Sequence, residues 1–257
     1  MSLRLATHAA LGFITVAALS ACGGGVEGGG FIPTVDSSAG GIWDGKDPIS
    51  GIDVIGIVTE TGEARFIRAD GFQSFGGVTV SWQNLSGSYT GILPFGSLFP
   101  DGSFSGTGTV VGTVKERKSL RATFDFTTMA GTRSTGTGTF TYNALYDMDS
   151  ALTTFAGNYL DTASGAIITI DDNGVIFSQD PVTSCVINGQ VAIIDSDYNA
   201  YRVAYSFSNC IGAEAYLNGT TATGLGVLDA LTDPESIIVG VSNGHAGYAL
   251  SGRYPRA

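Results

Sequence analysis

The nucleophilic, metal-binding and acid–base chemistry open to this 257-residue chain rests on three cysteines, two histidines and 23 acidic residues. The cysteines divide by context. Cys22 follows Leu19, Ser20 and Ala21, directly after an apolar run over residues 9–19. A thiolate is nucleophilic enough to accept a lipid, and small residues before it let the backbone extend in a protease cleft. Cys185 and Cys210 are left as an even pair in an exported chain, where an oxidising compartment favours a structural disulfide. They are too far apart for a Cys-x-x-Cys redox motif, and each lies in a β-like stretch, so the bridge is expected to staple two neighbouring strands.

The histidines exclude more than they offer. His8 belongs to the leader, which leaves His245, in the turn Ser242-Asn243-Gly244-His245-Ala246-Gly247, as the one base for a triad. No G-x-S-x-G elbow accompanies it, and one histidine cannot build a His-rich zinc or haem site. Glycine pieces such as Gly106-Thr107-Gly108 precede no helix and so cradle no phosphate. The acidic turn Asp171-Asp172-Asn173-Gly174 lacks EF-hand spacing and reads as a turn, as does Asp195-Ser196-Asp197-Tyr198; a weak calcium site is the alternative. A carboxylate pair for glycoside hydrolysis needs only two acids, and nothing singles out a pair. The expectation is a protein that is not an enzyme, with no cofactor and no metal.

Two surfaces are candidates for contact with a partner or ligand. Lys115, Arg117, Lys118 and Arg121 concentrate basic charge in KERKSLR between two strand-like runs, either a solvated hairpin tip or an anion- or partner-binding patch. Phe95 and Phe99, in FGSLFP, form either an exposed apolar loop that touches ligand or membrane, or a barrel plug. The formal net charge of −11 argues against nucleic acid or anionic lipid held through a general field.

Arg4, the apolar run and Ser20-Ala21-Cys22 form a secretory signal peptide, since a helix over so short a run would cover only about half of a ~30 Å hydrocarbon core. Leu19-Ser20-Ala21-Cys22 resembles the lipobox of bacterial lipoproteins. That resemblance implies a diacylglycerol thioether on Cys22, cleavage before it, acylation of the new amino terminus, and anchoring of the protein to a membrane of the bacterial cell envelope. Gly23 in place of an aspartate implies, by the same resemblance, the outer membrane of a didermal host. The glycines of residues 23–30 read as a flexible tether between anchor and body.

The elements that must position these residues read as strands almost throughout. Alternation runs through residues 52–59, 77–82, 103–114, 120–127 and 135–142. Turn signals fall between them at residues 60–63, 85–87, 100–102 and 172–174. A modest helical look is confined to residues 147–155. The fold class expected is all-β and antiparallel, two tandem small barrel or sandwich-like units, with one larger β-domain as the alternative. The boundaries are 1–21 for the signal peptide, 22–40 for the lipidated cysteine and tether, 41–146 for the first unit and 147–257 for the second. Gly41-Ile42-Trp43 resembles the opening of lipocalin-like barrels, where the aromatic plugs one end. The two-unit anchored plan resembles surface lipoproteins of Gram-negative bacteria that capture host proteins or cofactors through a β-barrel module. The function expected is non-enzymatic binding of a protein partner or small ligand; the alternatives are a structural or accessory envelope protein and, behind it, a carboxylate-based glycan-active enzyme.

Overall fold

The computed structural model describes residues 37–243 and 249–257. Leu19, Ser20, Ala21, Cys22 and His245 lie outside the described residues.

The first eight strands are β1 (Gly41–Lys46), β2 (Asp53–Val58), β3 (Glu63–Arg68), β4 (Gln73–Ser81), β5 (Asn84–Ile92), β6 (Ser105–Lys115), β7 (Ser119–Thr128) and β8 (Arg133–Asn143). They pair antiparallel in sequence order and close into a barrel through β1 and β8. A 3-10 turn at Ala144–Asp147 and helix α1 (Leu152–Phe155) lead out of it, and α1 falls within the segment whose sequence looks helical. The second eight are β9 (Gly157–Leu160), β10 (Ile167–Ile170), β11 (Val175–Gln179), β12 (Val186–Ile193), β13 (Tyr201–Ser208), β14 (Thr221–Asp229), β15 (Ser236–Ser242) and β16 (Ala249–Pro255). These also pair in sequence order. Their outer strands meet through a bridge between Tyr159 and Arg256 and a 2.8 Å bond donated by the Ala257 N–H to the Asn158 carbonyl. The chain is all-β, with two tandem antiparallel barrel-like sheets. Sequential hairpins need no crossover, and joining first strand to last removes the exposed edges.

Alternation sets the two faces of each strand. In β6 the even-numbered residues Gly106, Gly108, Val110, Gly112 and Val114 turn inward, and Thr107, Thr109, Val111 and Thr113 face solvent. Gly62 and Gly174, at φ +84° and +78°, take left-handed conformations in their hairpins, and a Cβ on Gly62 would run into the Val78 carbonyl. The turn read at residues 85–87 is displaced. Leu85, Ser86 and Gly87 belong to β5 with Leu85 buried, and the chain reverses at Trp82-Gln83, where Trp82 takes φ +61°. A tryptophan is not a turn former, so its left-handed backbone left no mark in the sequence.

The barrels differ in how they are filled. Among the described residues the second holds a core of Tyr159, Ile170, Ile176, Tyr201, Val203, Tyr205, Phe207 and Val239, with Phe155 of α1 covering one end and Leu217, from a 3-10 turn at Gly212–Leu217, covering the other. Cys185 and Cys210 are disulfide-bonded beside Leu217, their Cα atoms 3.9 Å apart, just beyond the ends of the β12–β13 ladder. The bridge therefore staples neighbouring strands, as their β-like contexts suggest. In the first barrel Trp43, fully buried, closes one end with Leu85, Val114 and Leu120, its indole N–H donating to the Ala39 carbonyl at 3.0 Å.

The outer face of the first barrel's β1–β3 packs against β14 and β15 of the second. Ile42, Ile57 and Ile67 meet Leu225, Val227 and Ile238, with Leu145 and Tyr146 at the margin. Hence every residue of β15 is buried: Ile237, Val239 and Val241 face their own core and Ile238 faces the neighbour. Gly240 permits the approach, since a Cβ there would lie 2.7 Å from Ile67. At the edge of this wall the buried Arg65 guanidinium donates to the Gln73 side-chain carbonyl and, at 3.0 Å, to the Thr223 carbonyl. Gln73, itself fully buried, donates onward to the Val241 and Leu250 carbonyls at 3.2 and 2.9 Å. Burial lowers the Arg65 pKa to about 10, which leaves it charged at neutral pH.

Candidate functional site: an aromatic cavity in the first barrel

The end of the first barrel opposite Trp43 is formed by the loops of residues 47–52, 69–72, 93–104 and 129–132, and there the interior is not filled. A cavity of about 550 Å³ opens between these loops. Ligand sites for small organic molecules occupy roughly 300–1,000 Å³, so the space suits one such molecule. Deeper in, toward Val58, Ala64 and Leu120, the remaining void is only about 20 Å³, so the cavity has a floor.

The wall is made of rings. Phe66, Phe72, Tyr89, Phe99, Phe124, Phe126 and Phe140 all line the cavity. They form a connected set: Phe72 lies 6.1 Å from both Phe99 and Phe126 between ring centroids, Tyr89 stacks on Phe126 at 6.1 Å, and Phe124 meets Phe66 and Phe140 edge-on. Glycines make the room. Phe66 faces Gly56 across the strand pair, Phe140 faces Gly45, Tyr89 and Phe126 both face Gly108, and Phe124 faces Gly136. With no Cβ opposite, each ring can lie along the wall rather than project across the lumen. At Gly91 a Cβ would sit 2.7 Å from Phe126 and 2.8 Å from Phe72, so any side chain there would push both rings inward.

Polar groups gather at the rim. Arg68 spreads over the Phe72 ring at 4.7 Å and grips Asp70 through Nε and Nη2, at 2.7 and 2.6 Å. Its Nη1 reaches the Ser50 hydroxyl at 3.1 Å and lies 3.7 Å from Asp47. The Arg68 pairing holds the Asp70 carboxyl below its ordinary range. Asp101 accepts from the Ser103 hydroxyl at 2.6 Å and from the Thr128 hydroxyl, and these bonds hold it well below the usual carboxylate range. Burial pushes the Tyr89 phenol upward, so it stays neutral. Around the opening Ile49, Phe95, Leu98 and Met129 are exposed, an apolar collar on three of the four loops.

The two contact candidates of the sequence fall at opposite ends of this barrel. Phe99 turns inward and lines the cavity, whereas Phe95 turns outward and stacks on Tyr216 at 4.8 Å. FGSLFP therefore supplies both a lumen ring and a surface ring. Lys115, Arg117, Lys118 and Arg121 lie at the Trp43 end, on the β6–β7 hairpin and exposed. Arg117 is paired with Asp147, donates to the Tyr142 hydroxyl at 3.0 Å and lies over the Tyr198 ring at 5.4 Å. Its charge is committed to the chain itself, which weakens the tip as an anion site. The remaining rings are spread in sequence from Phe66 on β3 to Phe140 on β8, and only closure of the barrel gathers them on one wall.

No protein-family model and no curated protein matches the chain. The site's geometry therefore stands alone as the guide to its chemistry. Among the described residues no group of three His, Cys, Asp or Glu is placed to hold a metal ion. A broader trough of about 770 Å³ runs along the outer wall past Thr90, Thr107, Thr109 and Arg133, but it is open to solvent and edged by threonine and glycine. The enclosed, ring-lined space is the better receptor for an apolar molecule, because binding there removes apolar surface of both partners from water.

Proposed function

We propose that the protein is a lipid-anchored binding module of the bacterial envelope, tethered through Cys22, which captures a small apolar ligand in the first barrel without transforming it. The observation that carries this reading is the first barrel's interior, which keeps about 550 Å³ behind a ring-lined mouth, whereas buried side chains form a core inside the second. A cavity of this lining costs stability, because rings that touch no neighbour on one side forgo packing. Occupation by a ligand would restore those contacts. The lipobox residues and glycine tether support placement at a membrane surface, where apolar molecules partition.

The test is a titration with N-phenyl-1-naphthylamine, a neutral aromatic probe that fluoresces when removed from water. Saturable binding with one site per chain is expected. Ser134 lines the cavity from the start of β8, and Ser134→Trp would fill the space from the wall. Binding should fall at least about tenfold in this variant while the circular dichroism spectrum is retained. Unchanged binding by a folded Ser134→Trp variant would refute the barrel as the receptor.

A further inference from the structure

We infer that the cavity selects apolar aromatic ligands carrying a cationic head and discriminates against carboxylates and sulfonates. This rests on the binding reading above and adds the ligand's chemical class. Three carboxylates stand at the mouth, on Asp47, Asp70 and Asp101, against the single guanidinium of Arg68. The other nearby charges cancel outside the lumen, where Lys46 pairs with Asp53 and Arg133 pairs with Asp125.

The one cation is not available to an incoming anion. Its Nε and Nη2 are used by Asp70, its Nη1 by the Ser50 hydroxyl, and its face by Phe72. Displacing Asp70 would exchange one ion pair for another with no gain. Asp101 remains ionised in any physiological medium, held by hydroxyl donors and not by a cation, so its charge is uncompensated at the rim. An ammonium entering here meets that field and, just inside, the rings of Phe99 and Phe126, whose quadrupoles also favour a cation. A carboxylate meets repulsion at the rim, and the one cation there is already paired.

The experiment uses the purified mature protein and three probes that share one ring system: 2-naphthylmethylammonium, 2-naphthylmethanol and 2-naphthylacetate. The expected order of affinity is ammonium, then alcohol, then carboxylate, with at least about tenfold between first and last at low salt. The gap should narrow as salt screens the rim. Asp101→Asn should lower the ratio of ammonium to carboxylate affinity, and a circular dichroism spectrum matching that of the wild type reports that the variant is folded. Asp47→Asn supplies a second test should the first variant fail to fold. Equal binding of ammonium and carboxylate, or tighter binding of the carboxylate, overturns the charge selection while leaving the binding cavity intact. Failure of all three probes overturns the binding reading itself.

Discussion

Gln73→Leu should loosen both barrels at once, because Gln73 belongs to β4 of the first yet holds carbonyls on β15 and β16 of the second. The side chain is fully buried, so no water replaces what is lost. It accepts one bond from a charged donor, Arg65, worth about 1.5–3 kcal/mol, and donates two to neutral carbonyls at about 0.5–1.5 kcal/mol each. Leucine is close in volume and recovers about 1–2 kcal/mol of apolar burial. The net loss is about 2–4 kcal/mol, and at roughly 2–4 °C per kcal/mol for a body of this size the melting temperature should fall by about 10 °C. Urea unfolding followed by circular dichroism gives the free energy. Hydrogen exchange read by mass spectrometry shows where protection is lost: β4, β15 and β16 should all exchange faster. A double-mutant cycle with Arg65→Met should return a coupling of about 1–3 kcal/mol. A loss under about 0.5 kcal/mol, or exchange confined to β4, would refute the claim that this buried bond set locks the two sheets together.

Other outcomes follow from the same geometry. Cys185→Ser with Cys210→Ser opens a loop of 25 residues, which in the chain-entropy model removes about 3.5 kcal/mol; thermal melts of the double variant against wild type check it, and equal melting points would count against it. Burial raises the pKa of Tyr159 to about 12 and pushes Tyr146, Tyr201 and Tyr205 upward from 10.0. The stability from keeping these phenols neutral is complete below pH ~10, where the unfolded chain begins to ionise, and is lost as pH rises through the folded values. Tyrosinate absorbance should therefore rise together with unfolding, and full ionisation near pH 10 in a folded protein would contradict the burial. Gly91→Val should drive Phe72 and Phe126 into the lumen and weaken N-phenyl-1-naphthylamine binding by at least about tenfold; a folded variant with wild-type affinity would oppose the ring-and-glycine account. Cys22→Ser should release the protein from the membrane fraction into the soluble periplasm, and retention in the membrane would exclude lipid at Cys22 as the anchor.

The barrels were legible because a strand with one wet face has to alternate, and residues 103–114, 120–127 and 135–142 alternate clearly. The disulfide was legible from cysteine count and β context. The shared wall was hidden by the same logic: β15 is apolar on both faces, which in sequence looks like any buried strand and does not say that one face belongs to another sheet. Arg65, read in isolation, gives no sign that its charge is buried. The cavity was hidden because Phe72 and Phe99 come from two different loops and Phe126 from β7, and the three meet only once register is fixed. A signal did exist in the Gly-Thr alternation of β6 and β8. Glycine on the inward phase, with aromatic residues on the strands that face it, marks a lumen that needs room, whereas a solid core would place branched residues there.

The central claim, that the first barrel holds a ligand, is tested most directly by mass spectrometry of residues 23–257 purified from the periplasm, under native and then denaturing conditions. A mass present on the native protein, lost on unfolding and absent from Ser134→Trp, is the predicted result. A native mass equal to the bare chain, together with no saturable uptake of N-phenyl-1-naphthylamine, would contradict it.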